Sequence, residues 1–215
     1  MKPYQTAFLE LALEYEVLKF GEFTLKSGRV SPYFFNLGKI ASGAGLKRLA
    51  DAYADALLAS GLEFDLLFGP AYKGIPLVAA IACSLAGRGR DLPFTYNRKE
   101  AKDHGEGGVL VGAAVAGVRV VIVDDVLTAG TALRQSYELL TAAGAIPVAA
   151  MTALDRQEVG PDGRSAVQEL TERTGLVVRP LVTVRDVLAH LIRSGGDAAT
   201  IQSIEAYQAK YGVKD

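Results

Sequence analysis

An α/β fold built on a doubly wound parallel sheet is predicted by three observations. Strand-like and helix-like segments alternate from Asp65 to His190, the pattern of strand–helix units whose sheet is covered on both faces. VRVVIVDD, from Val118 to Asp125, is a β-branched run without polar alternation, as expected of a strand buried on both sides. LLFGPAYKGIPL (Leu66–Leu77) and VVIVDDVLTAGTALR (Val120–Arg134) each pass from an apolar strand through a glycine-containing turn into a helix.

Taken in order, Phe8, Leu11, Tyr15 and Leu18 recur at helical spacing and predict an amphipathic helix closed near Gly21. FTLKSG and SPYFFNLG follow as two short β-like runs. Leu46, Leu49, Tyr53 and Leu57 mark a second helix ending at Ser60-Gly61, and LEFDLLFGP is the first core strand. IPLVAAIACSLAG reads as a buried helix, with Cys83 in the core. PFTYNR, GGVLVG and VRVVIVDD are strands, Val120–Val123 being the buried part of the last. A helix closed by Gly144, the strand IPVAAMTALDR, a helix from Ala166 to Glu172 and the strand LVVRPLVT come next. Thr183 and Asp186 form a capping box for a helix carrying Val184, Val187, Leu188 and Leu191. Gly195-Gly196 breaks it, and a last helix carries Ile201, Ile204, Tyr207 and Tyr211. The expected organisation is one domain over residues 1–215. A small N-terminal α+β hood, mainly 1–40, lies over the ligand edge of a core of roughly 41–195, with a C-terminal helix at 199–212.

With 215 residues, 50% hydrophobic and 22% charged, the chain is long enough for one well-buried α/β domain. A net charge of −1 gives no global field for nucleic acid, so no nucleic-acid partner is expected. No apolar run reaches membrane-spanning length, and Glu10, Glu14 and Glu16 interrupt any signal-peptide pattern, so no membrane partner is expected. One cysteine permits no intrachain disulfide, and a cytoplasmic location is expected.

The chemistry concentrates in a few stretches. Asp124 and Asp125 fall at the carboxyl end of the buried strand, and Ala129, Gly130 and Thr131 open the helix that follows. The first N–H groups of that helix have no intrahelical partner and, with its dipole, cradle an anion. Two carboxylates beside a phosphate site suit ribose hydroxyls or a magnesium-bound sugar phosphate. Strand–acid–turn–helix also occurs for structural reasons alone, but adjacent acids repel and gain little without a ligand or cation. In RKEAKDHGEGG, residues 98–108, the potentially cationic Arg98, Lys99, Lys102 and His104 stand among acids and glycines with almost nothing apolar. Such a run is expected to be a mobile surface loop, either simply solvated or a cationic lid for polyphosphate. Lys73, beside a helix start, can be a surface lysine or, with the backbone N–H groups there, make a second anion site. Phe34 and Phe35 face opposite ways on a strand, so one can be core while the other stacks on a flat ring. Arg156, just past a strand, can clamp a planar carboxylate or form a surface salt bridge. GxxxxGK[ST] and GxGxxG are absent, which argues against an NTPase or a dinucleotide enzyme. Two histidines and one cysteine are too few for an ordinary zinc cage, and no nucleophile–base–orienter set is visible.

VVIVDDVLTAGTA resembles the phosphoribosyl-pyrophosphate (PRPP) motif of type I phosphoribosyltransferases. With RKEAKDHGEGG, FGPAYKGIPL and FTLKSGR…PYFFN, it resembles the orotate phosphoribosyltransferase family over essentially the whole chain. The resemblance implies the parallel doubly wound sheet of that superfamily. It also implies Mg²⁺-dependent transfer of ribose 5-phosphate from PRPP to N1 of orotate, giving orotidine 5′-monophosphate and pyrophosphate, in pyrimidine biosynthesis. Asp124 and Asp125 would contact the ribose hydroxyls. The turn Thr128, Ala129, Gly130, Thr131 and Ala132 would hold the 5′-phosphate, with Thr128 also near orotate, and Val126 and Leu127 would belong to the same substrate site. Tyr72 and Lys73 would meet the pyrophosphate end, and Lys26 would reach the PRPP site. Phe34 and Phe35 would flank orotate and Arg156 would pair with it. Arg98, Lys99, Lys102 and His104 would form a catalytic loop, shared between the subunits of a homodimer. The metal would be held mainly through PRPP and water, with no protein ligand set of its own. A phosphoribosyltransferase for another base, or a non-catalytic PRPP-sensing regulator, would share the PRPP motif.

Overall fold

Two sheets organise the computed structural model of the protein: an N-terminal hairpin and a six-stranded sheet of order β5-β4-β3-β6-β7-β8. The structure describes every residue except Lys26, 103–107, Thr128, Ala129, Pro161 and Asp215. At Lys99, Ala101, Lys102 and Leu127 it describes the backbone alone.

The hairpin pairs β1 (Leu18–Thr24) with β2 (Val30–Phe35) in antiparallel register. In the large sheet, β3 (Leu66–Gly69), β4 (Phe94–Lys102), β6 (Arg119–Leu127), β7 (Ile146–Asp155) and β8 (Val177–Thr183) run parallel. β5 (Gly108–Gly112) is the exception, antiparallel to β4 on the edge. The link between β4 and β5 is too short for a crossover, so it can only make a hairpin.

The expected two-sided burial is visible along β6. Val121 and Val123 point into one core with α1 (Pro3–Glu14), α2 (Gly43–Leu58), α3 (Gly74–Ala86) and α6 (Val184–Arg193). Val120 and Ile122 point into a second core under α4 (Thr131–Ala142) and α5 (Ala166–Thr174). α7 (Ala198–Tyr211) adds Ile204 to the first core. Side-chain oxygens hold the starts of α2 and α6. Gly45 N–H donates to Ser42 Oγ at 3.1 Å, and Asp186 N–H donates to Thr183 Oγ1 at 3.2 Å in the expected capping box.

Four expectations need correction. The first helix ends at Glu14; Glu16, at φ 55°, turns the chain, and Leu18 is buried from β1 rather than from a helix. β6 continues past the acidic pair to Leu127, because Val126 and Leu127 still pair with Leu154 and Asp155 of β7. Cys83 is exposed, not core. α3 is so apolar that its sequence marks no inner face, and its buried side is Gly74, Leu77, Val78, Ile81, Ala82 and Leu85. Finally, Arg98, Lys99 and Lys102 lie on β4 instead of in a loop, and Lys102 pairs with Gly108. β3 ends its pairing at Gly69–Tyr96, so β4 runs on past it with β5 as its partner. A main-chain ladder at a sheet edge does not require apolar side chains.

Candidate functional site

β3 is the first strand of the large sheet in chain order, with β4 on one side and β6 on the other. The winding reverses at β3. In open α/β sheets, the crevice at the carboxyl ends beside such a reversal is where ligands bind. The chain leaving β3 and the end of β6 therefore form the place to look.

The chain leaving β3 turns sharply through residues 70–73 into α3. A Cβ on Gly69 would sit 2.1 Å from the Gly74 carbonyl oxygen and 2.7 Å from Val78 Cβ, so no side chain fits there. Asn97 on β4 accepts the Ala71 N–H at 2.9 Å and ties the turn to the neighbouring strand. The turn ends on Lys73, whose ammonium donates to Asp125 Oδ2 at 2.6 Å across the crevice. Gly69→Ala is expected to cost roughly 3 kcal/mol through the backbone clash, read as a drop in urea midpoint. An unchanged midpoint would contradict the close approach.

Asp124 is buried, its carboxylate accepting the Asp125 N–H at 2.8 Å, while Asp125 accepts the Val126 N–H at 2.8 Å. Burial, with the Asp125 charge beside it, pushes the Asp124 carboxyl up to about 6; Lys73 opposes this only partly. Beneath the pair, the buried Tyr53 hydroxyl donates to the Asp124 carbonyl at 2.8 Å and anchors the strand end to α2. Among the described residues, two adjacent carboxylates meet one lysine here, an arrangement that can take hydroxyl donors or a cation. Beyond the pair, Gly130 adopts φ 70° at the N-cap of α4 and supplies no capping side chain. The N–H groups of Thr131, Ala132 and Leu133 form the helix's first turn, on the same edge of the sheet, and have no partner among the described residues.

Arg156 follows β7 on this edge. Its Nε donates to Glu158 Oε1 at 2.7 Å, its Nη2 donates to Ser31 Oγ at 3.0 Å, and its guanidinium lies 4.2 Å from the Tyr33 ring centroid. The salt-bridge reading of Arg156 is therefore met, but within a buried cluster that joins β2 to the sheet edge rather than on the surface. Burial works against its charge, and Tyr33 and Glu158 outweigh that, holding it above the usual arginine range.

Phe35 packs into the first core beside Phe8, ring centroids 6.3 Å apart, whereas Phe34 is 40% exposed against Phe23 at 5.5 Å. The alternation expected of the two rings is thus observed. Tyr72 stands exposed on the 70–73 turn. Lys26, Thr128, Ala129 and His104 lie outside the described residues, as do the side chains of Lys99, Lys102 and Leu127. The structure therefore brings together Lys73, Asp124, Asp125 and the start of α4, and places Arg98 on the strand flanking them. Tyr53, Asn97, Ser31 and Glu158 were not singled out by sequence. Tyr53 reads as an ordinary core position of a helix; the polar Asn97 and Ser31 inside short strands were the available signals.

A family model described as the phosphoribosyl transferase domain matches residues 37–176. An orotate phosphoribosyltransferase of Thioalkalivibrio sulfidiphilus is 56% identical over 214 residues, covering 99% of this chain and 100% of that one. That of Xanthomonas euvesicatoria is 54% identical, covering 99% and 98%. The crystal structure of orotate phosphoribosyltransferase from Francisella tularensis superimposes with a TM-score of 0.87 at 42% identity, over 95% of this chain and 98% of that one. Full-length identity above one half, together with one shared fold, places this chain in the orotate phosphoribosyltransferase family of type I phosphoribosyltransferases.

Proposed function

We infer that the protein transfers ribose 5-phosphate from PRPP to N1 of orotate, forming orotidine 5′-monophosphate and pyrophosphate for pyrimidine synthesis. The observation that carries this reading is the Lys73–Asp125 pair beside buried Asp124 at the winding reversal, in a chain of this family. In the reaction, the bond from orotate N1 to C1′ forms as the bond from C1′ to the pyrophosphate oxygen breaks, and its electron pair leaves with pyrophosphate. Because the acceptor is the nucleophile, the protein has to position the partners and stabilise charge.

In this reading Asp124 and Asp125 accept hydrogen bonds from the ribose hydroxyls, a role suited to carboxylates on a negatively charged edge. Residues 128–132 hold the 5′-phosphate, supported by the first turn of α4, with Val126 and Leu127 in the same substrate site. Tyr72 and Lys73 receive the pyrophosphate end. Lys26 reaches PRPP, Phe34 covers the orotate ring while Phe35 supports it from the core, and Arg156 pairs with the orotate carboxylate. Arg98, Lys99, Lys102 and His104 neutralise the leaving group. We further propose a homodimer in which residues 98–108 serve the partner's site, and a cytoplasmic enzyme. Among the described residues, no helix is long and apolar enough to cross a membrane.

Mg²⁺ fits this edge. Among the described residues, no three histidine, cysteine, aspartate or glutamate side chains gather as a metal cage, but Asp124 and Asp125 offer two adjacent carboxylates with only Lys73 paired to them among the described residues. Those two residues would stand beside an ion held mainly through PRPP and water. When bound, the ion supplies charge neutralisation on pyrophosphate and ribose oxygens.

Arg156→Ala tests the acceptor assignment. Its KM for orotate is expected to rise about 10–100-fold, the size of a lost charge-assisted bond, with KM for PRPP little changed. An unchanged KM for orotate would remove Arg156 from the acceptor site.

A further inference from the structure

Arg156 stands inside a cluster built from three parts of the chain. From β2 come Ser31, accepting its Nη2, and the Tyr33 ring beneath its guanidinium. From the segment after β7 comes Glu158, whose two oxygens are divided between Arg156 at 2.7 Å and Arg29 at 3.4 Å. From α7 come Gln208, donating to the Arg156 carbonyl at 3.1 Å, and Tyr207, whose ring meets Tyr33 edge-on at 6.3 Å.

The backbone around Glu158 is fixed as tightly as its side chain. Gln157 adopts φ 50°, a conformation unusual outside glycine, and its N–H donates to Asp155 Oδ1 at 2.8 Å. The Gln157 carbonyl accepts the Val213 N–H at 2.8 Å, and Val159 N–H donates to the Tyr211 carbonyl at 2.9 Å. Arg29 closes the frame, donating Nη2 to the Val159 carbonyl at 2.9 Å and lying 4.7 Å from the Tyr211 ring centroid. Backbone held in a sparsely populated region persists only where its surroundings over-determine it. Here the surroundings converge on the residue pair 156–158.

We propose that Glu158, held by Arg29 and the end of α7, is a positioning residue that fixes the Arg156 guanidinium for the acceptor's carboxylate. This rests on the reading of Arg156 as the orotate contact. An arginine loses much rotamer freedom when it is ordered, and an arginine fixed before the ligand arrives spares binding that cost. Glu158 and Ser31 hold Nε and Nη2 through one hydrogen each. A guanidinium has five N–H donors, so donors remain for a planar carboxylate. The C-terminal helix thereby acquires a part in acceptor recognition, although it supplies no group to the substrate.

Glu158→Gln keeps the volume and removes the charge that pins Arg156. In steady-state assays of the full chain with PRPP and Mg²⁺, its KM for orotate should rise about tenfold, as expected for one lost charge-assisted bond. Its kcat and KM for PRPP should stay close to wild type, and Glu158→Asp should recover part of the loss. Arg29→Met, one step further out, should raise the same KM by a smaller factor, and it tests the link if Glu158→Gln does not fold. An unchanged or lower KM for orotate in the folded Glu158→Gln and Arg29→Met proteins overturns the proposal. So does a parallel fall in kcat and rise in both KM values. If Arg156→Ala also leaves KM for orotate unchanged, the acceptor reading fails. If Arg156→Ala raises it and Glu158→Gln does not, only the positioning role is lost.

Discussion

Asp124→Asn is expected to make the unliganded protein more stable and much less active. The wild-type carboxyl is pushed up to about 6 by burial and by Asp125, so at neutral pH the folded state carries a charge it would rather not hold. The sign follows from linkage: between the ordinary carboxylate value of 3.8 and about 6 the folded protein binds more protons than the unfolded one. Stability from this group is therefore complete below the ordinary value and is lost as pH rises through about 6. A shift of that size corresponds to roughly 1–3 kcal/mol at pH 7.5. Asparagine keeps the acceptor oxygen for the Asp125 N–H and removes the penalty, raising Tm by roughly 3–8 °C. The gain should shrink toward zero as pH approaches 4. If Asp124 accepts the ribose hydroxyls as proposed, the same change replaces a charged acceptor with a neutral one and lowers kcat/KM about 10–100-fold. A variant as active as wild type, or a stability gain independent of pH, would contradict the roles given to Asp124. Strain kept at a functional site at the expense of stability is a common pattern.

Lys102→Ala is the second large expectation, with kcat falling about 10²–10³-fold, the cost of one oriented group that stabilises transition-state charge. KM for PRPP should change little, because the role proposed for the lysine is on charge that develops as the bond to pyrophosphate breaks. A raised KM with unchanged kcat would mean that the group binds ground and transition states alike. The backbone places Lys102 at the end of β4, paired with Gly108, so the residue leaves a main-chain ladder rather than a long unsupported loop.

The parts of this chain that could be read in advance are those whose cause is local. Val120–Val123 had to be buried on both faces because nothing polar interrupts them. Thr183 and Asp186 had to cap a helix because the two side chains can each satisfy the other's backbone. The acidic pair, Lys73 and the glycine turns could be picked out through residue type alone, and the structure brings Lys73 onto Asp125. The rest depends on strand order, which no local pattern contains. Lys73 meets Asp125 because β3 and β6 are neighbours at the winding reversal, and they are separated in sequence by a helix and two strands. Tyr53 supports Asp124 from a helix that reads as ordinary core. Glu158 carries no local mark, because the chain end beyond α7 that folds back on it is distant in sequence. The charged run after Tyr96 misled for a related reason. Its strand is made by the pairing of main chains, and composition reports only side chains. Cys83 misled because an all-apolar helix conceals which side faces inward.

The most direct measurement of the central claim mixes the protein with PRPP, Mg²⁺ and a panel of acceptors. It follows loss of orotate absorbance together with pyrophosphate release. The expected result is equimolar orotidine 5′-monophosphate and pyrophosphate with orotate, and no turnover with adenine, guanine or uracil. Turnover of one of those bases without turnover of orotate would contradict the acceptor assignment, and no pyrophosphate with any acceptor would contradict the transfer itself.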